Sequence, residues 1–262
     1  MDAIVTVPDA QPWSSSGKGR RGRTGVVVVH GFAGSPRSTR PFGQRLAAAG
    51  YSVDVPLLPG HGTDIGDLAR TRYRDWAEHL QRTVDHFAER CERVVLIGQG
   101  VGGTLSLDLA SQRPDQIERV VVINPQITAP TSLWARAAPL GQFVVPYLPR
   151  RLAGLPRDDI ARPDVHEGAY PLVATRAARS VIRELPRIRH QLLDVTQPLL
   201  VVHSTVDHLV PPSDALELLE LVGSGDVREL VCERSYHVVL LDHDAPIVER
   251  AVLGFLEDVT PS

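Results

Sequence analysis

Apolar positions along the chain follow two rhythms. Continuous, mostly β-branched runs occur at Val26-Val27-Val28-Val29, Val94-Val95-Leu96-Ile97, Val120-Val121-Val122-Ile123 and Leu199-Leu200-Val201-Val202, the pattern of strands covered on both faces. Between them the spacing lengthens. Trp76, Leu80, Val84, Phe87 and Cys91 recur every three to four residues, which predicts an amphipathic helix lying on the sheet. A further helix is expected over about residues 38–49, closed by Gly50, followed by a short strand over about 51–55. A strand over about 228–232 and helices starting with Ser213 as cap and near Asp244 to Pro246 complete the alternation. Strand and helix in turn predict an α/β fold with a mostly parallel sheet and right-handed crossovers.

After Asn124-Pro125 the rhythm stops. Residues 127–192 are rich in Pro and Arg, with helical fragments but no convincing strand. Leu133, Trp134, Phe143, Tyr147, Leu148, Tyr170 and Leu172 supply apolar groups that a disordered linker lacks. The expected organisation is therefore a core in two parts, 1–126 and 193–262, with 127–192 inserted as a cap over the carboxyl ends of the strands, where open α/β sheets bind ligands.

Composition narrows the classes. A chain of 262 residues, 43% apolar, can bury the core of one such domain. Its net charge of −3 points to no polyanionic partner, so nucleic acid is not expected. Lys18, Arg20, Arg21 and Arg23 form a basic run, but the interleaved glycines mark a solvated turn. With no long apolar N-terminal region and no apolar stretch of spanning length, the expectation is a soluble, cytoplasmic protein without stable membrane insertion. Cys91 and Cys232 have neither metal-site nor disulfide spacing and are expected as buried thiols.

The chemistry centres on Val94-Val95-Leu96-Ile97-Gly98-Gln99-Gly100-Val101-Gly102-Gly103-Thr104. Strand, glycine-rich turn and helix in that order form the frame of a nucleophile elbow, G-x-S-x-G, in which small residues flank a serine held in a strained turn. Gly98 and Gly102 take the flanking positions. Gly100 takes the middle one, so the attacking hydroxyl is missing. Gly98, Gly100 and Gly103 also fit the dinucleotide fingerprint G-x-G-x-x-G, but the turn lies deep in the chain and no acidic residue ends the next strand. Two later residues fit the elbow instead. Asp207 and His237 each follow a strand, in the order acid then histidine that this sheet requires of a triad.

The segments His30-Gly31-Phe32-Ala33-Gly34-Ser35-Pro36, Leu58-Pro59-Gly60-His61-Gly62-Thr63, Gly98 to Thr104, Val206-Asp207-His208-Leu209-Val210-Pro211 and Ser235-Tyr236-His237 together resemble the α/β-hydrolases of the bacterial carboxylesterase and monoacylglycerol lipase group. The resemblance spans nearly the whole chain. It implies an eight-stranded, mostly parallel sheet, a small cap, no metal or organic cofactor, and an oxyanion hole formed by the backbone N–H groups of Phe32 and Val101. The stretches Asp159-Ile160 and Glu167-Gly168-Ala169-Tyr170-Pro171 are similar to the group's lid, which further implies that Glu167 contacts the alcohol part of a monoglyceride. His61 is expected to order its loop.

Where the group has serine, this chain has Gly100. Ser35, Thr104 and Ser106 are poorly placed to replace it. Three explanations stand side by side: an inactivated form of a working carboxylic-ester hydrolase that holds substrate or product; a natural member that now binds a ligand; or a site that uses Asp207 and His237 as a base for another, lyase-type reaction. The surviving frame favours the first. The expected partner is a small ester or acyl ligand, with Trp134, Phe143, Tyr147 and Leu148 lining an apolar pocket that reaches the elbow.

Overall fold

The computed structural model describes residues 7–130 and 145–258. Trp134 and Phe143 lie outside the described residues. The main sheet holds seven strands: β1 (Trp13–Ser15), β2 (Thr24–Val29), β3 (Ser52–Val55), β4 (Arg93–Gln99), β5 (Ile117–Ile123), then β8 (Leu199–Ser204) and β9 (Val227–Cys232), in the spatial order β1-β3-β2-β4-β5-β8-β9. All neighbours pair in parallel except β1 with β3. The eighth strand implied by the resemblance is absent among the described residues. Pro8 and Pro12, which have no N–H to donate, flank the stretch just before β1, and no strand forms there.

Strand alternation sends successive residues to opposite faces, and each face has its own core. Val27, Val29, Leu96, Val120 and Val122 pack with α3 (Tyr73–Ala88), α4 (Val101–Gln112), α5 (Thr175–His190) and α6 (Ser213–Leu221). Val26, Val28, Val95, Ile97 and Val121 pack with α1 (Pro36–Ala48) and α7 (Ala245–Glu257) through Phe42, Leu46, Val248, Val252 and Phe255. Both faces of the central strands are thus covered, as their unbroken apolar runs require. The short helix α2 (Ile65–Arg70) precedes α3. Its cap is Asp64, whose carboxylate accepts from the Gly66 amide at 2.7 Å. Among the described residues, no helix is long and apolar enough to cross a membrane.

Between β5 and β8 the chain makes its long excursion. Contrary to the expectation of no strand in 127–192, β6 (Tyr147–Pro149) pairs antiparallel with β7 (Leu172–Ala174). Each has only three residues, too few to show an alternation in sequence, and they become strands by pairing across the intervening loop. The helical fragments expected there include the sixteen-residue α5, whose Ala177, Val181, Leu185 and Ile188 enter the same core as α3 and α4. Two smaller expectations also change. Cys232 is buried, but Cys91 is only half-buried, because α3 ends at Ala88 and leaves it in the turn beyond. Ser213 is the first residue of α6, with Pro212 before it as the cap.

The strand order places the site. From β2 the chain steps outward to β3 and then returns to β4 on the other side of β2. The loops at the carboxyl ends of β2 and β4 therefore diverge, leaving the crevice in which such sheets bind ligands.

Candidate active site

Gly100 stands between β4 and α4 with φ 55° and ψ −124°, a conformation that costs a non-glycine residue energy and is stored at functional sites. The turn is held from both ends. The Gly100 N–H donates to the Ile123 carbonyl at 2.8 Å, while its own carbonyl accepts from the Gly103 and Thr104 amides at 2.9 and 3.1 Å. A Cβ on Gly98 would run into the Gly102 carbonyl, and one on Gly102 would lie 2.5 and 2.6 Å from the Val29 and His30 carbonyl oxygens. The two flanking positions are therefore glycine because backbone passes through the space a side chain would need.

Opposite the turn, the His237 ring donates from Nδ1 to Asp207 Oδ2 at 2.7 Å. Its other nitrogen, Nε2, lies 2.9 Å from the point where a Cβ on Gly100 would stand. Asp207 Oδ1 accepts from the amides of Leu209 and Val210, both at 2.8 Å. Burial pushes the Asp207 carboxyl up, but the His237 charge and hydrogen bond together with the two amides hold it below its ordinary value. Burial likewise disfavours the His237 imidazolium. Asp207, first by charge and then by its hydrogen bond, outweighs burial with help from Glu167 and Asp159, so the ring is more basic than an ordinary histidine.

The loop after β2 abuts the turn. Gly31 Cα is 3.8 Å from the Gly100 Cβ position, and Phe32 and Val101 line one pocket together with Gly100, Asp207 and His237. Behind this loop, His30 accepts from the Leu58 amide at Nε2 (3.2 Å) and therefore donates from Nδ1 to the Gly31 carbonyl (2.9 Å). His61 packs edge-on among His30, Phe32 and Trp76, with ring centroids 5.0, 6.3 and 5.2 Å apart. Burial drives its pKa down to about 4. The ring packs against Phe32 of the β2 loop, and its Nδ1 meets the Pro59 carbonyl at 3.1 Å.

Thr104 and Ser106 spend their hydroxyls on the carbonyls of Gln126 (2.7 Å) and Gly102 (2.8 Å). Ser35 lies at the far end of the β2 loop, just before α1.

The pocket above Gly100 has a volume of about 610 Å³. Its walls differ in part from those expected. Tyr147 and Leu148 sit on β6, where Tyr147 is exposed and Leu148 half-buried, and neither is among the lining residues. Val173, Ala178, Val181 and Ile182, from β7 and α5, line it instead. β7 runs directly into α5 and its Val173 is buried, whereas Tyr147 of its partner β6 is exposed. Glu167 is buried but is also not a lining residue. Its Oε1 would lie 2.6 Å from a Cβ on Gly34, so it occupies the space behind the β2 loop. Burial raises its pKa to about 7, against the opposing charges of His237 and Arg150.

Asn124 escaped the sequence reading. Held in the left-handed region at φ 46°, it donates from Nδ2 to the His237 carbonyl (2.9 Å) and to Ser204 Oγ (3.1 Å), and accepts from the Ser204 amide (2.8 Å). Asn-Pro at a strand end was the available signal, since asparagine tolerates this conformation.

A parallel sheet in this order, with a glycine-flanked elbow at the end of its central strand, defines an α/β-hydrolase of the lipase and esterase type. The chain belongs to the serine aminopeptidase S33 family, which matches residues 21–244. It is 35% identical to the thermostable monoacylglycerol lipase of Bacillus sp. (strain H-257) over 89% of this chain and 91% of that one. Against the monoacylglycerol lipase of Mycolicibacterium smegmatis (strain ATCC 700084 / mc(2)155) it is 28% identical, over 98% and 90%. A solved structure from the work on LipS and LipT, two metagenome-derived lipolytic enzymes, superposes with a TM-score of 0.88 at 32% identity, covering 95% of this chain and 98% of that one.

Proposed function

We propose that this chain is a carboxylic-ester hydrolase framework of the carboxylesterase and monoacylglycerol lipase type that lacks its nucleophile, and so binds an ester or acyl ligand and turns it over poorly. The observation that carries this reading is the oriented Asp207–His237 pair, whose free nitrogen points at the Cβ position of Gly100. A serine there would give up its proton to His237 as it attacked the carbonyl. The Phe32 and Val101 amides would hold the oxyanion, and water would release the acyl group in a second step. Glu167 stays our candidate for the alcohol contact, although it lies behind the β2 loop beside Gly34 and outside the pocket lining, so the contact needs the alcohol to reach past Gly34. A single vacated position within an otherwise complete frame favours recent loss of chemistry over a long-abandoned site.

The test is Gly100→Ser, assayed on a short p-nitrophenyl ester and on a monoacylglycerol, with His237→Ala in the serine background as control. Triad serines are worth about six orders of magnitude in turnover, so the serine form should gain a large, His237-dependent activity. A folded serine form no faster than the glycine form on either ester would overturn the reading in favour of a non-hydrolytic ligand-binding member.

A further inference from the structure

The Asp207–His237 pair is joined by a third residue, from the Asp159-Ile160 stretch of the inserted segment, to which the sequence reading gave no role. Asp159 lies in the excursion between β5 and β8, 78 residues before His237, and is buried. Its Oδ2 accepts from the His208 amide at 2.9 Å and from the His237 amide at 3.3 Å, and its Oδ1 accepts from His208 Nδ1 at 2.7 Å. Its backbone carbonyl accepts from the Val238 amide at 3.0 Å. One carboxylate oxygen thus receives the N–H of His237 itself and the N–H of the residue that follows Asp207. We propose that Asp159 is a positioning residue that sets the Asp207 loop and the His237 loop in register, so that the pair is assembled only when the inserted segment is docked.

The geometry explains why a carboxylate is used. Three N–H donors converge on the side chain, two on one oxygen, and a carboxylate accepts them all while presenting no donor of its own. An asparagine would turn an N–H toward at least one of these donors. The charge matters as well. The His237 imidazole is faced by Asp207, Glu167 and Asp159, and Asp159 is itself faced by His208 and Arg150. Removing the Asp159 charge removes one of the charges that favour the imidazolium. The catalytic consequence rests on the role proposed above for His237; the assembly of the pair does not.

The experiment starts with proton NMR on the chain with Gly100 in place. The hydrogen-bonded Nδ1 proton of His237, identified by its absence in His237→Gln, should be lost or broadened in Asp159→Asn, and the imidazole should titrate at lower pH. Asp159→Glu, which keeps the charge, should keep the higher titration midpoint. Folding is checked by the cooperativity of urea unfolding. An Asp159→Asn protein that folds with the resonance and the midpoint unchanged would overturn the proposal. Hydrogen exchange on the unaltered chain needs no variant: the amides of His208, His237 and Val238 should open together with that of Ala161 in the inserted segment, which donates to Asp242 Oδ2 at 2.6 Å, and a His237 amide that exchanges fast while Ala161 stays protected would equally overturn it. In the Gly100→Ser background, Asp159→Asn should lower kcat roughly 10-fold, the scale of one lost hydrogen bond to a buried charged acceptor, with KM little changed. If Gly100→Ser itself is inactive, the ester-hydrolase reading fails while the NMR and exchange results still decide this one.

Discussion

A Cβ placed on Gly100 would stand 2.9 Å from Nε2 of His237, closer than carbon and ring nitrogen normally approach. The imidazole has settled against the glycine, anchored on its far side by Asp207. Any side chain at position 100 must therefore push the ring back by a few tenths of an ångström and also adopt φ 55°. Gly100→Ala should lower stability by about 1–3 kcal/mol, the usual cost of a non-glycine residue in such a conformation, without any gain in ester hydrolysis. Urea unfolding of the two proteins measures the loss. Equal stability would mean that the turn relaxes freely.

Glu167 predicts a pH dependence of stability. Burial holds its folded pKa at about 7, against an ordinary 4.5, so between those values the folded chain binds more protons than the unfolded one. Stability from this group therefore falls as the pH rises from about 4.5 through about 7, and the penalty persists above that. Glu167→Gln should become progressively more stable than the parent over this window, by up to about 3 kcal/mol at the alkaline end. Unfolding free energies of both at about pH 5 and about pH 8 test it. A difference that does not change with pH would show that the carboxyl is not held protonated.

Asp108 ties three helices together. Buried on α4, it accepts from the Tyr73 hydroxyl of α3 at 2.9 Å, from Gln112 at 2.7 Å, and from Arg187 of α5 in a two-pronged pair at 2.8 and 2.9 Å. Asp108→Ala leaves these donors without their acceptor, at a cost of about 1–3 kcal/mol. The exposed side of Arg187 keeps the figure below that of a fully buried pair. Because Val181 and Ile182 of α5 line the pocket, acyl-ligand affinity should fall with stability. Calorimetry and ligand titration on the same variant show whether the two losses accompany each other.

Chain length should be read by the pocket. Its apolar lining of Ala153, Leu155, Val173, Val181, Ile182 and Val210 can reward each buried methylene with about 0.8 kcal/mol, roughly a fourfold gain in affinity. Titration with monoacylglycerols of increasing length should show this increment until the pocket is full. Ile182→Trp should move the plateau to shorter chains. Affinity that ignores chain length would argue against an acyl ligand.

The residues that write themselves into local sequence were legible without the fold. Val26 to Val29 and Val94 to Ile97 are apolar on both faces because helices cover both, and a run of that kind has few other readings. Gly98 and Gly102 announce a close backbone approach that spans only a few residues, and Asp207 and His237 each follow a strand in the required order. Those features depend on neighbours in the chain. The partners that complete the site do not. Asn124 reaches the His237 carbonyl across 113 residues and Asp159 reaches the His237 amide across 78; Asn-Pro marks a turn and Asp159-Ile160 a lid-like stretch, but neither names the distant partner. The pocket wall falls to Val173 and Val181, not Tyr147 and Leu148, because β6 and β7 are strands only by virtue of each other. Local periodicity marked the central strands and the helices that cover them, but not β6 and β7. Hydrogen bonds and packing between segments far apart in the chain decided which side chains face the pocket and which carboxylates hold the histidine, because those choices exist only once the crossovers have brought the loops together.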